Sequence, residues 1–225
     1  MRFRRRQSCL LALLLLLAGA VLPQDIGRRE PGFTGAVSPR LIEAYVRRFG
    51  NDARPRLETW KRQAERRHGT PLAEAELLME VNQFFNRIRF LDDAVHWGEA
   101  DYWATPAESV ASNGADCEDF TIAKYFLLKE LGVPIARLRM TYVKAIRLKQ
   151  AHMVLAYYAR PEAEPLVLDN LEDSVRPASQ RNDLVPVYSF NDEDVWVEAR
   201  GRSGSPRQIR NWNRLLERLE RELHT

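Results

Sequence analysis

The chain has 225 residues, with 34 lysines and arginines against 31 aspartates and glutamates, a formal net charge of +3, and two cysteines. Arg2, Arg4, Arg5 and Arg6 account for the positive excess, so it is local and calls for no basic nucleic-acid surface. Two cysteines are too few for a disulfide-stapled fold, whereas the length suits one domain with a sizeable core.

Residues 1–20 read as an export signal. The four arginines form a positive n-region, Leu10 to Leu22 is an apolar run of thirteen residues, and Ala18-Gly19-Ala20 fits a small-x-small cleavage rule. The run is shorter than the about twenty residues of a comfortable membrane span, an uncleaved anchor being the alternative. Cys9 precedes the run, which does not fit a lipid-anchored cysteine. Cleavage after Ala20 removes four arginines and no acid, leaving a charge of about −1 and Cys117 alone. A single thiol in an oxidising compartment points to reactivity.

Residues 21–37, rich in Gly, Arg and Pro, read as a loose leader, and residues 38–200 as one domain. Three helices should come first. Ser38-Pro39 opens one with Leu41, Tyr45 and Phe49, ended by Gly50; Pro55 opens another with Leu57, Trp60 and Ala64, ended near Gly69. Thr70-Pro71 opens a third, whose stripe Leu77, Val81, Phe84 and Ile88, with Leu78 and Phe85 beside it, should face the core. Thr105-Pro106-Ala107-Glu108 is a capping box for a short helix running to the Asn113-Gly114 turn. Asp116 then caps a buried helix carrying Ile122, Ala123, Phe126, Leu127 and Leu131, stopped by Gly132-Val133-Pro134.

Beyond Pro134 the period becomes two. Strands are predicted at Leu138 to Tyr142, His152 to Tyr158 and Leu166 to Leu168, with a hairpin of Val185 to Phe190 and Val195 to Val197 around Asn191-Asp192. Residues 201–225 should add a charged amphipathic helix from Pro206, with Ile209, Trp212, Leu216, Leu219 and Leu223 inward. Helices followed by short antiparallel strands predict an α+β fold, the Cys117 helix lying on the sheet.

Cys117 falls in the first turn of that helix, where the partial positive charge of the terminus favours thiolate and so prepares a sulfur nucleophile. If Arg160-Pro161 centres the hairpin between the second and third strands, His152 and Asp169 face each other directly, their Cβ atoms about 4.5–5.5 Å apart. The carboxylate could then hold one ring nitrogen and leave the other for the thiolate. The plainer reading is a strand histidine and a turn-forming Asp169-Asn170. Asp116, Glu118 and Asp119 crowd the sulfur and oppose the helix terminus. A bound hard cation such as calcium would remove the conflict; otherwise Asp116 is a cap, and Glu118 and Asp119 complement the helix dipole.

Longer strings carry a resemblance. H-W-G at His96 to Gly98, D-Y-W-A-T-P at Asp101 to Pro106, D-C-E-D-F at Asp116 to Phe120, L-R-M-T-Y-V-K-A at Leu138 to Ala145, A-H-M-V-L-A-Y-Y at Ala151 to Tyr158 and L-V-L-D-N-L at Leu166 to Leu171 together resemble the bacterial transglutaminase-like cysteine proteinases, in particular the LapG-type periplasmic proteases. The resemblance runs from about Ser38 to Trp196. It implies a papain- or transglutaminase-like core with Cys117 as nucleophile, His152 as general base and acid, and Asp169 as the orienting carboxylate. It also implies a calcium requirement, with Asp116, Glu118 and Asp119 as ligand candidates, Asp116 and Glu118 the firmer pair. The implied substrate is a large RTX-type surface adhesin, cut near its N-terminus at a pair of alanines to disperse a biofilm. The implied restraint is a LapD-type inner-membrane receptor for cyclic di-GMP that sequesters the protease.

The Cys117 backbone N–H is the natural first oxyanion donor. The Trp97 indole is a candidate second, core packing being the preferred role for Trp97 and Trp103. Two other functions share these residues: an acyltransferase that passes the acyl group to an amine, and a non-catalytic module that binds a membrane receptor.

Overall fold

Residues 37–69, 73–198 and 200–225 are described by the structure, a computed structural model. The expected export signal, Cys9, the leader up to residue 36 and the Thr70-Pro71 opening lie outside the described residues.

Helix α1 (Pro39–Phe49) begins as predicted, with Ser38 Oγ accepting the Leu41 N–H at 3.0 Å, and ends at Gly50. The φ of 86° there suits glycine, which has no Cβ to clash. Helix α2 (Ala53–Gly69) starts at Ala53, ahead of the expected Pro55. Proline is tolerated in a first turn, where its missing N–H would have no helical partner.

Helix α3 (Glu74–Phe85) is rotated from the expected stripe. Leu78, Val81, Asn82 and Phe85 are buried, and the helix ends before Ile88. Asn82 draws the face round, because its amide donates to the Glu172 and Asp173 carbonyls at 2.9 and 3.1 Å.

Strand β1 (Arg89–Phe90) pairs in parallel with β2 (Gly114–Ala115), bracketing α4 (Asp93–His96) and α5 (Pro106–Ser112). The predicted capping box of α5 is present: Thr105 Oγ1 accepts the Glu108 N–H at 3.1 Å, and Glu108 Oε2 accepts the Thr105 N–H at 3.0 Å. Helix α6 (Cys117–Glu130) is buried throughout Asp119 to Leu128. It lies between the sheet and the layer of α3 and α5.

Strands β3 (Leu138–Ala145), β4 (Gln150–Tyr157), β5 (Leu166–Asp169), β6 (Glu172–Pro177), β7 (Leu184–Phe190), β8 (Val195–Val197) and β9 (Gly201–Gly204) form one sheet in the order β6-β5-β4-β3-β7-β8-β9. Every neighbour in it is antiparallel. The strands missed by apolar periodicity, β6 and β9, are its two edges. An edge half out of the core needs no apolar alternation, and E-D-S-V-R-P and G-R-S-G have none.

The main core joins the helices to one face of the sheet through Leu138, Met140, Met153, Leu155, Leu168 and Phe190. Val143, Val154 and Val167 form a small cluster on the other face. This is the expected α+β arrangement.

Helix α7 (Arg210–Leu223) follows a 3-10 turn at Pro206–Gln208. It buries Trp212, Leu215, Leu219 and Glu222, while the predicted Leu216 and Leu223 are exposed. Trp212 sets this rotation by stacking on Phe126 at 5.7 Å and meeting Phe190 edge-on at 5.6 Å.

Candidate active site

Pairing between β4 and β5 stops at Leu155↔Leu168. Met153, next outward on that edge, presents its backbone to the first turns of α6. Its carbonyl accepts from Thr121 Oγ1 at 3.0 Å, and its N–H is directed at the Cys117 sulfur. The end of β5 thus makes room for the cysteine against the strand residue that follows His152.

The expected direct opposition of His152 and Asp169 is not formed. Tyr157 pairs with Leu166 and Leu155 with Leu168, which sets Asp169 level with Val154. The turn explains the offset: the Ala163 N–H donates to the Arg160 carbonyl at 2.9 Å, so Pro161 takes the second position of a β-turn, which its fixed φ favours. A shift of two residues preserves the face, and the diagonal gap of about 7–8 Å is within reach of long side chains. His152 Nε2 donates to Asp169 Oδ1 at 2.8 Å, so the two side chains meet across that diagonal.

Both residues are buried, and Asp169 is further held from two elements that sequence reasoning did not use. Arg181 Nη2 donates to Asp169 Oδ2 at 2.7 Å, and the Leu171 N–H donates to Oδ1 at 3.1 Å. Asn86, the C-cap of α3, donates to the Asp169 carbonyl at 2.9 Å. Burial alone would push the Asp169 carboxyl up, but hydrogen bonds from His152, Leu171 and Arg181 outweigh it and bring it to about 2. Arg181 carries no local motif; only the fold brings it to Asp169.

The contest around Cys117 goes against the thiolate. Burial raises the thiol, and the charge and hydrogen bond of Glu118, followed by the charge of Asp116, raise it further against the Met153 N–H. The thiol donates to Glu118 Oε2 at 2.9 Å. This is the expected conflict between the helix terminus and the flanking acids, with burial added on the side of the acids.

The three predicted acidic candidates do not form one group. Asp116 and Asp119 converge with Asp93, while Glu118 converges with Asp93 and Asp101, the chosen oxygens of each group lying within 4.8 Å of one another. Asp93 and Asp101, common to the acid-dense run around H-W-G and D-Y-W, were missed as ligand candidates. A local feature brings Asp93 in. Strand β1 lies on β2, and a Cβ on Gly114 would stand 2.6 Å from the His96 ring, so only glycine lets α4 approach.

Backbone amides orient these acids. Tyr102 N donates to Asp93 Oδ2 at 2.5 Å, and Ala104 N to Asp119 Oδ1 at 2.6 Å. Among the described residues, Asp93 Oδ1 and Asp116 Oδ1 are buried with no hydrogen-bond partner. Burial, reinforced by neighbouring carboxylates, lifts Asp93 to about 6 and Asp116 to about 10, and Asp119 rises in the same direction. Orphaned, crowded carboxyl oxygens are what a hard cation with oxygen ligands satisfies.

The sequence profile of the bacterial transglutaminase-like cysteine proteinases matches residues 49–203. The chain belongs to that family. Legionella pneumophila LapG is 39% identical over 80% of this chain and 96% of its own, with a TM-score of 0.69. Calcium-bound and EGTA-treated structures of that LapG superpose with TM-scores of 0.68 and 0.70, at 39% and 38% identity, covering 80% of this chain and 98% and 96% of theirs. No curated protein gives a significant match. Membership and likeness make this transglutaminase-like proteinase a cysteine protease of LapG type, with acidic clusters suited to a metal. Among the described residues no helix is long and apolar enough to cross a membrane.

The considered oxyanion donor Trp97 packs against Phe49, His96 and Tyr102, with centroids 6.0, 4.3 and 4.9 Å away. Trp103 stacks on Phe190 at 5.8 Å. Trp103 is a core residue, whereas Trp97 is half-buried and, among the described residues, its indole N–H has no hydrogen-bond partner.

Proposed function

We propose that the chain is a calcium-dependent periplasmic cysteine endopeptidase in which Cys117 is the nucleophile, His152 the general base and acid, and Asp169 the orienting carboxylate. The observation that carries this reading is the buried hydrogen bond from His152 Nε2 to Asp169 Oδ1, with the sulfur of the helix-terminal Cys117 met by the N–H of Met153, the residue after His152. Asp169, kept ionised by hydrogen bonds from His152, the Leu171 N–H and Arg181, holds the imidazole by Nε2 and leaves Nδ1 as the nitrogen to exchange a proton with sulfur. Cys117 Sγ attacks the scissile carbonyl, His152 protonates the leaving amine, and water then hydrolyses the thioester with the same imidazole as base. The Cys117 N–H, first in α6, is the oxyanion donor.

Asp93, Asp101, Asp116, Glu118 and Asp119 are the residues that would hold calcium. Calcium there supplies positive charge that offsets the acids around the thiol and restores the pull of the helix terminus toward thiolate. The family resemblance extends the reading to a large RTX-type surface adhesin, cut near its N-terminus at an Ala-Ala site so that biofilm disperses. It also extends to restraint by a LapD-type inner-membrane cyclic-di-GMP receptor.

The test is digestion of an adhesin N-terminal fragment containing an Ala-Ala site, with calcium or chelator, beside Cys117→Ala, His152→Ala and Asp169→Ala. New N-termini should appear only with calcium, vanish with Cys117→Ala, and fall at least about a hundredfold in the other two variants. Attachment of an amine without new N-termini would move the assignment to acyl transfer. A Cys117→Ala strain that keeps every phenotype would leave a receptor-binding module.

A further inference from the structure

Helix α7 lies beyond residue 203, where the family match ends. One edge of it grips residues 101–105, the extended stretch in front of the acidic clusters. Asn211 Nδ2 donates to Asp101 Oδ2 at 2.7 Å. Arg218 donates to the Trp103 carbonyl, and its guanidinium stands 4.4 Å from the centre of the Tyr102 ring. Glu222 Oε1 accepts from Thr105 Oγ1 at 2.6 Å and also from the Tyr45 hydroxyl.

Helix α7 holds the side chains of Asp101, Tyr102 and Thr105 and the carbonyl of Trp103, while the N–H groups of Tyr102 and Ala104 donate to Asp93 and Asp119. Asp101 belongs to both sets, with Oδ1 accepting from the Trp103 indole at 3.0 Å and Oδ2 from Asn211. A displacement of the stretch would therefore turn Asp93, Asp101 and Asp119 together.

We propose that α7 is a clamp that sets the affinity of the cation site, with Asn211 and Arg218 as positioning residues that aim the carboxylates without touching the ion. The inference rests on the reading of the acidic clusters as a calcium site. Preorganised ligands lose little freedom on binding, so loosening the clamp should weaken binding even though every ligand remains.

The experiment is calorimetric titration of the full chain with calcium chloride, comparing the natural protein with Asn211→Ala, Arg218→Met and Arg218→Lys, with unfolding temperatures recorded in chelator. Asn211 is half-buried with its bond to Asp101 exposed, and makes the mild variant. Asn211→Ala should raise the calcium Kd about tenfold while leaving the chelator unfolding temperature unchanged. Arg218→Met should raise it further, and Arg218→Lys, which keeps a donor and a cation over Tyr102, should recover part of the loss. Natural-type affinity in Asn211→Ala and Arg218→Met would overturn the clamp and leave the calcium site standing. No calcium binding by the natural protein would overturn both.

Discussion

Lys124 lies on α6 two turns beyond Cys117 and is 1% exposed. Burial draws its amine down from 10.5 to about 7, with the charges of Asp169 and Asp173 partly opposing. A lysine whose folded pKa lies below its unfolded value destabilises the fold. That cost is full below about pH 7, shrinks as pH rises toward 10.5 because the unfolded chain alone still binds the proton, and vanishes above. Lys124→Met should therefore stabilise the protein by about 1–4 kcal/mol near neutral pH, and by less near about pH 10. Thermal unfolding at both pH values measures this, and an equal gain at each would mean the amine is not desolvated in the fold. Asp169 is the opposite case at the same scale: buried, yet supplied with enough donors to stay ionised.

At the scale of elements, α7 earns its place through one side chain as much as through its length. Trp212 is 1% exposed and touches Tyr125, Phe126 and Phe190, tying α7 to both α6 and β7. Trp212→Ala should cost about 3–5 kcal/mol, read as a lower midpoint in denaturant unfolding. A loss below about 1 kcal/mol would show that α7 docks independently of it. The same tryptophan explains why Leu216 and Leu223, predicted to face inward, are exposed. A short helix has several near-equivalent apolar faces, and the neighbour with the best ring contacts selects one. The β4–β5 hairpin follows a similar logic, since parity along the strands placed His152 and Asp169 on one face while the turn type decided the pairing register.

At the scale of the whole molecule, the acidic site joins α4, the 101–105 stretch and the start of α6, so a ligand bound there should stabilise the entire fold. Calcium at about a hundredfold over its Kd should add about 2.7 kcal/mol of stability. Asp93, common to both clusters, should be the residue on which that gain depends. Asp93→Asn should lose most of the calcium-induced rise in unfolding temperature. In chelator it should be no less stable, because a buried carboxyl crowded by Glu118, Asp101 and Glu99 has been made neutral. An unchanged calcium-induced rise in the variant would remove Asp93 from the site.

What the sequence by itself determined is whatever depends on neighbours along the chain: the caps Ser38, Thr105 and Asp116, the stop at Gly50, the placement of Cys117 in a first turn, and the shared face of His152 and Asp169. Capping, turn chemistry and strand parity act over a few residues, so they are written locally. Tertiary structure alone decided the Arg181 and Asn86 holds on Asp169, the recruitment of Asp93 and Asp101, and the grip of α7 on residues 101–105. Each of these joins groups far apart in sequence, and no local pattern encodes which partner a side chain will meet once the core has closed around it.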